Sequence, residues 1–161
     1  MLIRRSFLLL ILPVFLAACA TAPAEFQPGT QLILVRHADR SGDLLNRIGE
    51  ARAAALPDAL QDYDIAAIYL PDVTRNRQTA APLAAKLGLE PQVINAENPT
   101  FELLRAGAGQ TILWVGNKGN LVRIWETLNA QGPPPVEYGD VAVVMLSPGG
   151  NLVVHRFDWE I

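Results

Sequence analysis

The chain predicts a three-layer α/β/α sandwich built on a mostly parallel sheet. Short, uninterrupted apolar runs at 32–35, 65–70 and 111–115 have the length and texture of strands covered on both faces. Between and after them lie stretches with apolar residues at helical spacing. The two kinds of segment alternate along the chain, the order that parallel strands with helical crossovers require.

The first residues stand apart from this pattern. Arg4 and Arg5 supply a positive start, 7–16 a strongly apolar run, and Ala17 and Ala18 small residues; together they read as a secretory signal. The apolar run is shorter than the ~20 residues that span a bilayer as a helix. Leu16-Ala17-Ala18-Cys19 resembles a bacterial lipobox, which implies that Cys19 becomes the lipid-bearing first residue after processing. Cys19 is the only cysteine, so it has no intramolecular disulfide partner. The expected organisation is a signal peptide over 1–18, a proline-containing tether over 20–30, and one folded domain over 31–161. The expected location is outside the cytoplasm, on the periplasmic side, with the lipid on Cys19 as the membrane attachment.

The 161 residues suffice for one domain, and half of them are hydrophobic, enough to bury a core. Without Arg4 and Arg5 the chain carries 11 basic and 16 acidic side chains, a net charge of −5. That balance argues against a general nucleic-acid surface and leaves room for a small basic anion pocket.

The elements follow in order. The run at 32–35 is the first strand. Asn46 reads as the cap of a helix with Ala51, Ala55, Leu56, Ala59 and Leu60 on one face; Pro57 is expected to kink or divide it. The second strand is 65–70. A helix over 77–87 ends at Gly88, a C-terminal cap. A short strand is expected at 91–94, and the segment 95–110 reads as a loop. The strand at 111–115 precedes Leu121, Ile124, Trp125 and Leu128, which share one helical face. Strands at 141–146 and 152–156 are joined by a turn at Pro148-Gly149-Gly150.

In open α/β sheets, ligands gather at the carboxyl ends of the strands, so the residues just after 35, 70 and 115 carry most of the functional information. After the first strand comes Arg36-His37-Ala38-Asp39. Leu45 to Gly49 supplies a leucine-x-x-x-glycine helix start. After the second strand come Pro71, Arg75 and Thr79-Ala80, a serine-x-x-x-arginine-x-x-x-threonine-alanine pattern with proline in the serine's place. After the third come Gly116-Asn117-Lys118. In order and spacing these segments resemble the histidine phosphatase (phosphoglycerate-mutase-like) superfamily, over about residues 31 to 130.

The resemblance implies that His37 is the nucleophile and that Arg36 and Arg75 bind the phosphoryl group. It implies a hydrolase of phosphoric monoesters or phosphorylated side chains that works through a phosphohistidine. The partner would be a small phosphorylated molecule or a phosphorylated protein, and no cofactor or metal is expected. Chemistry supports the assignment independently. Phosphoryl transfer to an imidazole needs a neutral ring in the right tautomer, and planar guanidinium forks match phosphate oxygens.

At 117 the sequence departs from the family. Asn117 stands where the family carries a second histidine. Asparagine still donates a hydrogen bond but carries no positive charge, and loss of one preorganised donor typically costs about 3 kcal/mol of transition-state stabilisation. A second reading therefore stands beside the first: a pseudophosphatase that binds a phosphorylated ligand without turnover. Lys118 reads as a solvated side chain. Glu97 and Glu102 are candidates for a leaving-group acid, and His155 and Arg77 read as surface residues. Two widely separated histidines without a cysteine cluster give no metal-ligand spacing.

Overall fold

A computed structural model describes residues 25–161. The expected signal segment and lipobox, with Cys19, lie outside the described residues. The central sheet forms because β1 (Gln31–Arg36), β4 (Ile65–Leu70) and β6 (Thr111–Gly116) are apolar on both faces and can be satisfied only by burial from two sides. With β5 (Gln92–Val93), β7 (Asp140–Leu146) and β8 (Leu152–Asp158) they give the order β5-β4-β6-β1-β7-β8. Four neighbouring strands are parallel; β7 runs antiparallel to β1, and β8 antiparallel to β7. A two-stranded ribbon, β2 (Arg40–Ser41) with β3 (Leu44–Leu45), projects just beyond the end of β1.

Alternation along each strand feeds two cores. Ile33 and Val35 of β1 join Ile68, Leu70, Leu113 and Val115 on one face, under Leu56 of α1 (Arg47–Ala59) and Leu83 of α2 (Thr74–Leu87). Leu32 and Leu34 join Ile112 and Trp114 on the other, under Leu103 of α3 (Pro99–Ala106) and Leu121 and Ile124 of α4 (Lys118–Thr127). The expected three layers and mostly parallel sheet are present.

Local chemistry explains most boundaries. The Asn46 side chain accepts from the Gly49 backbone N–H at 2.9 Å and caps α1. Gly88 ends α2 with φ +67°. The β7–β8 turn closes through Ser147 N–H to the Asn151 carbonyl at 2.8 Å, with Gly150 at φ +78°.

Three expectations need correction. Pro57 does not divide α1, which runs unbroken to Ala59. The proline falls in the last turn, where little helix remains downstream to be disturbed. The segment 95–110 is not all loop, because α3 forms within it, with Pro99 preset at its start and Leu103 and Leu104 buried. The end of the tether is docked rather than free: Thr30 is buried, its hydroxyl accepts from Gly109 N–H at 2.8 Å, and Phe26 packs on the α3/α4 core.

Gly49 has a steric role. A Cβ there would lie 1.9 Å from the Asp39 carbonyl oxygen, which also accepts from Asn46 N–H at 3.0 Å. The start of α1 therefore rests directly on the chain leaving β1. Gly49→Ala should push the two apart and cost about 1–3 kcal/mol, read as a lowered denaturation midpoint. An unchanged midpoint would show that the contact has slack.

Candidate active site

The carboxyl ends of β1, β4 and β6 lie side by side because the strands are parallel and adjacent. Arg36 is the last residue of β1, in register with Gly116. The ladder continues one step past the strands: His37 N–H donates to the Gly116 carbonyl at 2.9 Å. His37 is thereby fixed next to Asn117.

His37 is only 2 % exposed. Its Nδ1 lies 2.8 Å from the Ala38 carbonyl oxygen. A carbonyl only accepts, so Nδ1 carries the proton and Nε2 keeps its lone pair. Burial lowers the ring's pKa to about 4; the Ala38 hydrogen bond opposes this, while the charges of Arg75, Arg36 and Arg40 add to it. The imidazole is neutral at physiological pH, in the tautomer that leaves Nε2 nucleophilic.

Arg36 points into the loop between α4 and β7. Its Nη1 donates to the Val136 carbonyl at 3.0 Å and its Nη2 to the Tyr138 hydroxyl at 3.2 Å. The guanidinium also lies 4.0 Å over the Tyr138 ring. Arg75, on the first turn of α2, donates from Nη2 to Asn117 Oδ1 at 3.2 Å and reaches the exposed Asp43 carboxylate at 3.4 Å. The Nε–H groups of both Arg36 and Arg75 are buried and have no acceptor in the protein. An unmet buried donor typically costs about 1–3 kcal/mol.

The frame around these groups is a set of specific bonds. Thr79 of α2 accepts from Ala38 N–H at 2.9 Å and donates to the Arg75 carbonyl at 2.7 Å. Asn76 Nδ2 donates to the Val115 carbonyl at 2.8 Å. Asp39 is taken up in a 2.7 Å ion pair with Arg52, so it serves α1 rather than the site. Gly116 leaves no room for a side chain, since a Cβ would sit 2.5 Å from Asn120 Oδ1, the oxygen that caps Asn117 N–H at 2.9 Å.

The structure therefore brings Arg36, His37, Arg75 and Asn117 together. Glu97 and Glu102 are exposed, before and on the first turn of α3, and neither shares a hydrogen bond or ion pair with those four. Among the described residues, Asp43 is the carboxylate tied to a site arginine. Lys118 is exposed at the start of α4, Arg77 pairs with Asp72 at 2.7 Å, and His155 lies exposed on β8 near Tyr63. Tyr138 was not evident in the sequence, because it contacts Arg36 across 102 positions and sits in a loop without a motif. Asp43 offered only a turn signal beside Gly42.

A neutral, oriented imidazole near two guanidinium groups at the carboxyl edge of a parallel sheet is an arrangement that suits an oxyanion. Residues 32–96 match the model of the histidine phosphatase superfamily (branch 1). Over that stretch the chain is similar to that superfamily. In the Mycobacterium tuberculosis protein Rv0525, itself uncharacterised, 95 residues are 38% identical, covering 50% of this chain and 46% of that one. The chain thus spans about half the length of the curated relatives it matches. Two solved structures share the fold. The protein histidine phosphatase SixA, complexed with tungstate, has a TM-score of 0.62 at 18% identity, over 80% of this chain and 97% of its own. The mycobacterial glucosyl-3-phosphoglycerate phosphatase Rv2419c, with inorganic phosphate, has a TM-score of 0.58 at 15% identity, over 82% and 97%.

The lowered pKa of His37 carries a stability consequence. Between about pH 6.5 and about pH 4 an unfolded chain protonates this histidine and the folded chain does not. The unfolded state then binds more protons, so stability falls as pH drops through that window, by about 3 kcal/mol in full. His37→Ala should flatten that part of the curve, measured as denaturant midpoints at about pH 7 and about pH 4.5. A slope unchanged by the substitution would place the effect elsewhere.

Proposed function

We propose that this chain is a phosphatase that hydrolyses a phosphoric monoester or a phosphorylated side chain through a phosphohistidine. His37 Nε2 attacks phosphorus, and an N–P bond forms as the bond to the leaving group breaks and that group departs with the electron pair. Water then attacks the phosphohistidine, returns the pair to Nε2 and releases inorganic phosphate. Arg36 and Arg75 hold the phosphoryl oxygens, and Asn117 contributes an amide donor through Nδ2. The observation that carries this proposal is the neutral, tautomer-fixed His37 beside two buried guanidinium N–H groups without protein acceptors. The tungstate of SixA and the phosphate of Rv2419c support it, both being oxyanions bound by proteins of this fold.

One observation favours the second reading, a pseudophosphatase that retains a phosphorylated ligand. Asn117 spends its amide oxygen on Arg75 and adds no charge to the pocket. The two are separated by hydrolysis of 4-nitrophenyl phosphate by the domain. If the chain is a phosphatase, His37→Ala abolishes turnover. If it is a pseudophosphatase, wild type and His37→Ala are equally inactive, Arg36→Ala or Arg75→Ala lowers phosphate affinity, and Asn117→His switches on hydrolysis. Equal, appreciable rates for wild type and His37→Ala would reject catalysis through this histidine.

We further propose that the domain works in the cell envelope, tethered by a lipid on Cys19. The support is the lipobox-like Leu16-Ala17-Ala18-Cys19 and the absence of any second cysteine. Cys19→Ser should move the protein from the membrane to the soluble fraction on cell fractionation, and continued membrane retention would count against lipid attachment.

A further inference from the structure

We infer that Tyr138 is a third element of the phosphoryl site: its ring positions Arg36, and its hydroxyl donates a hydrogen bond to the bound oxyanion. This rests on the anion-binding part of the function proposed above, and not on turnover.

The argument begins with the direction of one hydrogen bond. Arg36 Nη2 lies 3.2 Å from the Tyr138 oxygen. A guanidinium has donors only, so the phenol oxygen accepts, and its own proton must point away from Arg36. Among the described residues, no acceptor takes that proton. The same ring lies 5.9 Å from the His37 imidazole, centroid to centroid, tilted by 57°. Tyr138 therefore borders both the nucleophile and the first arginine, with a free donor.

Arg36 has its own need for such a neighbour. Two of its five donors are committed, to Val136 and to Tyr138. Its Nε–H is buried without a protein acceptor. The stack on Tyr138, at 4.0 Å, holds the guanidinium plane so that this donor stays in place. Without the ring the arginine regains rotamer freedom and part of its hydration.

The loop that carries Tyr138 is built to hold still. At its start, Trp125 Nε1 donates to the Gly132 carbonyl at 2.8 Å, and Arg156 lies over the Trp125 ring while donating to the Pro133 carbonyl. Pro133, Pro134 and Pro135 then restrict the backbone. At its end, Trp159 N–H donates to the Gly139 carbonyl at 2.7 Å. A hydroxyl presented from such a segment is preorganised, the condition under which one donor contributes most to a charged transition state. It would offset part of what is missing at Asn117, which brings a neutral amide where the family has a second imidazole.

The test compares wild type, Tyr138→Phe and Tyr138→Leu on two readouts. One is orthovanadate affinity by calorimetry; the other is kcat and KM for 4-nitrophenyl phosphate. Tyr138→Phe keeps the stack and removes only the donor. It should weaken vanadate binding roughly tenfold to a hundredfold, the range for one hydrogen bond to a charged group, and lower kcat more than it raises KM. Tyr138→Leu should lose further affinity and also raise KM, because Arg36 is no longer held. Wild-type values in Tyr138→Phe overturn the hydroxyl's role even if Tyr138→Leu is impaired, since the ring alone would then account for the effect. A wild-type protein that does not bind vanadate overturns the inference as well. If vanadate binding falls in Tyr138→Phe while no variant turns over substrate, the inference stands and the phosphatase reading fails.

Discussion

The site depends on the parallel pairing of β1 with β6, carried one hydrogen bond past the end of both strands. Arg36 sits opposite Gly116, and His37 N–H reaches the Gly116 carbonyl. This fixes the nucleophile beside residue 117. The register is secured by the apolar character of both strands: a slip of one residue would turn each side chain to the opposite face and draw Arg36 toward the core. Helix α2 is added to the same two strands by single bonds, Asn76 to the Val115 carbonyl and Thr79 to Ala38 N–H. Arg75 directly precedes Asn76, and its carbonyl accepts from the Thr79 hydroxyl, so both bonds help set its position. Three segments far apart in the chain therefore share one rigid reference.

That reference brings three positive charges toward one imidazole. Arg36, Arg40 and Arg75 all disfavour protonation of His37, and burial disfavours it more. The cluster is costly without an anion and is stabilised by the groups that hold each arginine. Arg36 leans on Tyr138 and Val136, and Arg75 on Asn117 and Asp43. The Asp43 carboxylate is 88% exposed, so solvent screens this 3.4 Å pair strongly. An incoming phosphoryl group, with more charge and better geometry, can displace such a contact at small cost.

What could be read from the sequence followed from physical signals that act locally. The buried strands declare themselves as continuous apolar runs, and the Asn46 and Gly88 caps declare themselves by residue type. Arg36 and His37 were readable at the end of the first strand, and Arg75 by its place in the motif that follows the second. The β2–β3 ribbon was not readable, since strands of two residues carry no period. Helix α3 was masked by its brevity, with Phe101, Leu103 and Leu104 as a short apolar signal after Pro99. Tyr138 lies in a loop whose path is set by Trp125, Arg156 and Trp159 from distant parts of the chain. No local rule reports a contact of that kind.

The division between readable and unreadable parts also separates chemistry from its adjustment. The nucleophile and the two arginines sit at the ends of core strands and on the first turn of α2, where packing allows little variation. The groups that finish the pocket, Asp43 on the ribbon and Val136 and Tyr138 on the α4–β7 loop, lie on connections outside the sheet and its helices. Each hydrogen-bonds or pairs with a guanidinium, and only the Tyr138 ring also borders the imidazole. Changes in these two connections alter how tightly an anion is held and how much charge surrounds it, while the tautomer of His37, fixed by Ala38 within the same turn, is untouched. Asn117 fits this division. It makes a polar contact to Arg75 without adding charge, and leaves the geometry of His37 in the hands of the sheet.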